Sequence, residues 1–301
     1  MSTSSPMVTL EQATWAWIMA GPAKHRLSIG KRFVKAFMAG LFLSTGGMLV
    51  QVLSADPWLT ENAAGLLKII QGAVFPVGLV MIVLLQMDLV TGQMAIMTMA
   101  TIKRKVPYWA WIADWALVFV GNLAGALLYT GIVYGSGIYT PAMKTGAAGV
   151  ATMKAGSSIS FGKNIVRAIG CNTLVCLAVF QASLAKDAVS KVVCAWFPIF
   201  VFVAAGFEHV VASMFLIPEG LENGAMVTVG RYIGTALVPA FLGNVIGAWL
   251  LVLPLMYLYG GDEFDPAKTT EEKGSPSPTI HEPMGQVQSG HYVKDIERAE
   301  P

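Results

Sequence analysis

The chain has 301 residues, of which 55% are hydrophobic and only 13% charged, with a formal net charge of +2. A soluble domain carries about 25% charged residues, so most soluble enzymes, secreted disulfide scaffolds and disordered regulators are excluded. The small net charge gives no reason to expect a nucleic-acid partner, and the composition points to a polytopic protein whose surroundings are a lipid bilayer.

Residues 1–30 form an N-terminal segment that becomes basic from Lys24 onward and is expected on the cytoplasmic side. Trp15–Gly21 is apolar, but the run is short, follows Glu11 and has no basic leader, so it does not read as a secretory signal. The membrane domain is expected over 31–260. Its first apolar segment is Ala36–Leu53, behind Lys31, Arg32 and Lys35. The second, Ile69–Ile102, contains a single charge, Asp88. As one helix it would run roughly 50 Å, whereas the hydrocarbon core is about 30 Å thick. The third runs from Pro107 to Gly137 with Asp114 inside it, and a Gly-, Thr- and Ser-rich loop is expected over 134–160. The fourth is Ile165–Leu184, the fifth Val192–Ile217 with Glu208 and His209, and the sixth Tyr232–Leu258. After Gly260 the sequence turns to Asp, Glu, Lys, Pro and Ser, so 261–301 is expected to be a disordered cytoplasmic tail.

Charge placement decides how often the long segment crosses. The basic N-terminus and Lys103–Lys105 both belong on the cytoplasmic side, which requires two crossings between them. Residues 69–102 therefore cross once, with a non-helical break near Asp88–Gln93. Such a break has to be packed in protein or line a cavity. The count gives six transmembrane helices in an all-α integral membrane fold with both termini inside.

The two halves also match each other. At an offset of 122, Phe75-Pro76 aligns with Phe197-Pro198, Thr91 with Ser213, Gly121-Asn122 with Gly243-Asn244 and Gly125-Ala126 with Gly247-Ala248. A ten-residue shift adds Lys31 with Lys163 and Val34-Lys35-Ala36 with Val166-Arg167-Ala168. Each half holds three crossings, so the second enters from the opposite face. That is the inverted-repeat plan of transporters and channels. The second and fifth helices are expected to be broken at corresponding places, Asp88–Gln93 and Glu208–Ser213.

His209 is the single histidine within an expected span. It is either a neutral histidine satisfied between helices or a hydrogen-bonding group of a pathway. Thr91 either caps the following half-helix or bonds a substrate or His209. Asp88 and Glu208 need partners in a dry site, for which Lys24, Lys31 and Lys154 are candidates. Asn122, Asn172 and Asn244 are helix-packing glue or pore donors. Cys171, Cys176 and Cys194 read as small apolar residues, since their spacing fits no metal pattern. No nucleotide-binding, zincin or nucleophile-elbow motif is present in the sequence, so no cofactor and no catalytic residue is expected.

Seven segments together resemble the formate/nitrite transporter family. They are Ala39–Ser44, Phe75–Leu79, Asp88–Gly92, Gly121–Gly125, Cys171–Val179, Gly206–His209 and Gly243–Gly247. The resemblance covers Lys24 to Leu258, and the length and hydrophilic tail resemble fungal members that import nitrite. It implies an aquaporin-like fold, a homopentamer in the plasma membrane and one pore per protomer. It implies a central His209 facing Thr91 with Asn172 nearby. Constrictions are implied at Phe75, Leu79, Phe202, Leu89, Val90 and Val175, and vestibule lysines at Lys24 and Lys154. Phe is usual in the family where this chain has Val90, which implies a wider constriction. The implied cargo is nitrite, with formate second and acetate, lactate or hydrosulfide behind.

Magnitudes then favour proton coupling. Carrying a bare anion through an apolar constriction has an idealised cost of order 20 kcal/mol. Protonating an acid of pKa near 3.5 at pH 7 costs roughly 5 kcal/mol. The expected partner is thus the anion with a proton. A passive anion channel, a neutral-solute facilitator and a membrane enzyme are the competing readings.

Overall fold

The computed structural model describes residues 5–267. Helix α1 (Leu10–His25) opens with a capping box, in which the Thr9 hydroxyl accepts the Gln12 N–H and Gln12 accepts the Thr9 N–H. Helix α2 (Ile29–Leu53) starts at a Ser28 cap and is the first membrane-length helix. A short α3 (Pro57–Asn62) leads to α4 (Ala64–Val74) and α5 (Val77–Leu84), which kink at Phe75-Pro76 yet form one apolar run of 21 residues. Then come a non-helical break, α6 (Val90–Ile102), α7 (Ala110–Ser136) and α8 (Pro141–Ala155). The second half continues with α9 (Phe161–Leu184), α10 (Ala188–Ala205), a second break and α11 (Val210–Glu222). It closes with α12 (Val229–Arg231), a π-helical stretch Tyr232–Leu237 and α13 (Val238–Tyr259). Six of these runs are long and apolar enough to cross a membrane.

Three differences from the sequence expectation stand out. Residues 134–160 are not a loop, because Pro141–Ala155 is helical from a Thr140 cap and buries Gly146, Ala147, Val150 and Ala151. The N-terminal segment, to which the sequence assigned no element, forms α1: Trp15, Trp17 and Ile18 are buried, and α1 packs on α6. The expected tail begins later than 261. Residues 261–267 dock on the helical body, where Trp15 Nε1 donates to the Gly261 carbonyl and Lys103 and Lys105 pair with Asp262 and Asp265. The rest of the expected tail, 268–301, lies outside the described residues.

Helix α8 is the counterpart of α1. Each repeat is therefore a short leading helix followed by three spans, and the two leading helices each carry a lysine to a break. The main pairings are alike in both halves: α2 lies along α7, and α9 along α13. Glycine permits that approach. A Cβ at Gly125 would run into the Phe37 carbonyl, and one at its repeat mate Gly247 into the Ile169 carbonyl. The Gly-Asn-x-x-Gly spacing is thus a close-contact motif. On the outside of the body, Val120, Leu128 and Ile132 of α7 and Leu250 and Leu253 of α13 are exposed, as a lipid-facing or neighbour-facing surface requires.

Candidate functional site

The breaks end the helices in the same way. Gln86 (φ 54°) and Gly206 (φ 78°) both adopt the left-handed conformation that stops a helix. The next N–H groups, of Met87 and Phe207, turn back to the Ile82 and Phe202 carbonyls at 2.9 and 3.0 Å. Asp88 N–H then reaches the Lys35 carbonyl, and Glu208 N–H the Arg167 carbonyl, each at 3.4 Å or less.

A buried asparagine completes each frame. Asn122 Oδ1 accepts the Val90 N–H at 2.9 Å, and its Nδ2 donates to the carbonyls of Ala36 and Asp88. Asn244 Oδ1 accepts the Val210 N–H at 2.9 Å, and its Nδ2 donates to the carbonyls of Ala168 and Glu208. Both asparagines thus satisfy exposed backbone at membrane depth, as such breaks demand. Asp88 is paired with Lys24 of α1, and Glu208 with Lys154 of α8 at 2.9 Å. Lys31 is exposed and makes no ion pair among the described residues.

These bonds set the structural offset through the breaks at 120 residues. Asp88 corresponds to Glu208, Leu89 to His209 and Thr91 to Val211, so the Thr91–Ser213 match of the sequence is out by two. The Phe75–Phe197 match also fails in environment: Phe75 is buried, whereas Phe197 is 59% exposed.

At the Leu89/His209 position the halves diverge. His209 is the N-cap of α11, and its Nδ1 accepts the Ala212 N–H at 3.1 Å. A backbone N–H can only donate, so Nδ1 carries no proton and the neutral ring holds its proton on Nε2. That atom lies 3.1 Å from Thr91 Oγ1. Thr91 does not cap α6; Asn122 does. Asn172 braces Thr91 from behind, donating to the carbonyls of Thr91 (3.3 Å) and Asn244 (2.7 Å). A second proton at Nδ1 would face the Ala212 N–H, remove the cap and put a cation at a helix N-terminus, all unfavourable.

His209 faces a small apolar chamber of about 10 Å³, lined also by Leu43, Phe75, Leu79, Leu89, Val175, Ile199 and Phe202. Such a space holds at most one water. Phe75 and Phe202 meet edge to face at 5.7 Å between centroids, and Phe202 stacks on His209 at 6.0 Å. Beyond this pair a cavity of about 340 Å³ opens, lined by His209, Glu208 and Lys154 together with Lys68, Gln71 and Arg167.

The structure thus brings together Phe75, Leu79, Leu89, Val175, Phe202, Thr91 and His209. Val90 is not among the chamber residues; it is fully buried with its N–H on Asn122. Sequence reasoning missed Leu43 and Ile199, although the repeat points to both: Leu43 is the mate of Val175, and Ile199 the mate of Leu79. Sequence reasoning also passed over Lys68, and it named Arg167 only as the repeat match of Lys35. Among the described residues no three His, Cys, Asp or Glu side chains cluster as a metal site.

Residues 11–259 match the formate/nitrite transporter family. An uncharacterised transporter of Bacillus subtilis is 40% identical, over 79% of this chain and 88% of its own length. A probable formate transporter of Methanothermobacter thermautotrophicus is 36% identical, over 78% and 90%. The formate channel FocA of Escherichia coli is 30% identical, over 76% and 85%. Among solved structures, a channel described as an FNT family ion channel superposes with a TM-score of 0.72 over 83% of this chain and 99% of that one, at 23% identity. A pentameric formate channel with formate bound gives 0.67 over 76% and 96%, also at 23%. The inverted repeats, the paired helix breaks and the length of the match agree: the chain belongs to the formate/nitrite transporter family, a family of membrane transporters and channels rather than enzymes.

Proposed function

We propose that this transporter carries a small monovalent weak-acid anion across the plasma membrane together with a proton, with nitrite as the first cargo to test. The observation that carries this reading is a neutral His209, its Nε2 proton directed at Thr91, in an apolar chamber closed by Phe75 and Phe202. A bare anion would meet about 20 kcal/mol there, against roughly 5 kcal/mol to become the neutral acid first. His209 donates through Nε2–H and Thr91 accepts or donates through its hydroxyl, so the pair matches an acid with one acceptor and one O–H. The proton comes from the aqueous side, because His209 cannot take up a second one without losing its helix cap.

Formate is the second reading, favoured by relatives that are named as formate transporters and channels. On this account the Lys154 vestibule faces outside and both termini are cytoplasmic. Five copies assemble side by side through exposed apolar helix faces, each with its own pathway; the pentameric neighbour supports that assembly.

The test is uptake of labelled nitrite and labelled formate into proteoliposomes with an inward proton gradient, for the wild type and His209→Asn. Asn is a good N-cap, so α11 keeps its start while the Nε2–H is lost. The expected result is gradient-driven accumulation of nitrite by the wild type and at least a tenfold loss in the variant. Nitrite entry that ignores the gradient would move the protein to the passive-channel class. Accumulation of formate alone would reassign the cargo.

A further inference from the structure

The lysines implied to collect the anion are both engaged: Lys24 by Asp88, and Lys154 by Glu208 at 2.9 Å. The 340 Å³ cavity nevertheless has two more cations on its wall, Lys68 of α4 and Arg167 of α9. Neither side chain makes a hydrogen bond or ion pair among the described residues, and both are partly buried. Three cations against one carboxylate leave that wall two positive charges in excess, with His209 neutral. Lys68 stands in an otherwise apolar turn, between Leu67 and Ile69. A lysine near a span end commonly extends to the membrane interface and does nothing else. This one lines a cavity instead.

At the 120-residue offset Lys68 falls on Ala188 of α10, while Lys191, three residues on, falls on the cavity-lining Gln71; Arg167 has Lys35 as its repeat mate. Both halves thus carry cations here, and Lys68 has none at its own repeat position. The cavity is roomy enough for a small anion with many of its waters, whereas the chamber beyond holds one water at most. Attraction without dehydration is what the first stage of capture needs, and a cavity lined by one sign of charge raises the local anion concentration.

We propose that Lys68 and Arg167 form an anion-holding station in the Lys154 vestibule, a site for a hydrated monovalent carboxylate or nitrite ahead of the Phe75–Phe202 constriction. The station acts on anion that arrives from the Lys154 side, so its loss lowers apparent affinity from that side. It rests on the reading of this protein as an anion transporter.

The experiment is the concentration dependence of labelled formate and nitrite flux at fixed pH, from each side, in right-side-out and inside-out vesicles. It compares the wild type, Lys68→Met, Arg167→Met, the double variant, and Lys144→Met, which changes an exposed lysine of α8 away from the cavity. The expected result is a severalfold rise in half-saturating concentration for each single variant and at least tenfold for the double, from one side only, with maximal flux kept. Raising ionic strength should weaken capture by the wild type and leave the double variant indifferent, which a structural role of these residues would not produce. Lys68→Arg should restore the wild-type value. Half-saturation unchanged from both sides, or a fall in maximal flux alone, would overturn the station. A wild type that carries neither anion would instead overturn the transport reading beneath it. Lys68→Met alone decides the matter if the double variant does not assemble.

Discussion

The two helix breaks share one backbone plan and differ at the head of the half-helix that follows. In both, a left-handed residue stops a helix, an asparagine from the third span of that repeat holds the loop, and a lysine from the leading helix pairs with the acid. Then the first break places Leu89 at the head of the next half-helix and the second places His209. The repeated parts meet the demands of the bilayer, which are the same for both halves. The unrepeated part is a polar group, His209, which the proposed pathway uses once. A second copy at Leu89 would add a donor on the axis and widen the polar stretch of the chamber.

Six substitutions test the frame that the two halves share. The largest expected loss of stability is from Lys154→Met, which leaves Glu208 buried without its cation, at a cost of about 3–5 kcal/mol. Adding Glu208→Gln should recover most of it, and thermal unfolding in detergent reads both. Asn244→Ala removes three hydrogen bonds of the second break, worth about 3 kcal/mol in the same assay at about 1 kcal/mol each. Asn122→Ala should cost a similar amount if the frames are equivalent; a large inequality would break the comparison. Gly125→Ala puts a methyl against the Phe37 carbonyl. It should cost about 1–3 kcal/mol by forcing α2 and α7 apart. The smallest effect is a gain: Gln86→Gly gives the first break the glycine that the second already has. It relieves a left-handed residue, whose strain is about 1–2 kcal/mol, partly offset by the greater entropy of glycine in the unfolded chain. A lower melting temperature would show that the Gln86 side chain holds the first break in a way that Gly206 does not.

Much of this was legible because membranes restrict the choices. The excess length of Ile69–Ile102 and the basic flank at Lys103–Lys105 placed the first break near Asp88–Gln93; it lies at Leu85–Leu89, and Val90–Gln93 is already helical. The asparagines and acids stood out because polar groups are rare in spans. Helix α8 was not legible, since Gly146, Gly149 and Thr152 resemble loop composition. Packing accounts for part of this composition: a Cβ at Gly146 would strike the Ser54–Ala55 backbone, and one at Gly220 of α11 would strike Ala151 and the Ala147 carbonyl, so Ala147 and Ala151 must be small. Leu43 and Ile199 carry no pattern by themselves. They become visible only when the repeat offsets are applied, 132 residues from Leu43 to Val175 and 120 from Leu79 to Ile199, and the offset changes again to 122 at the third spans. Gly261–Asp265 read as tail because its charges are typical of one, while its contacts with Trp15, Lys103 and Lys105 come from distant parts of the chain.

The central claim is that the cargo passes the Phe75–Phe202 constriction as a neutral acid beside a neutral His209. The most direct test is nitrite uptake into proteoliposomes, recorded together with internal pH while the membrane potential is clamped at values of opposite sign. The account predicts one proton entering with each anion and a rate that does not depend on the potential. Uptake that follows the potential, with no accompanying acidification, would contradict it.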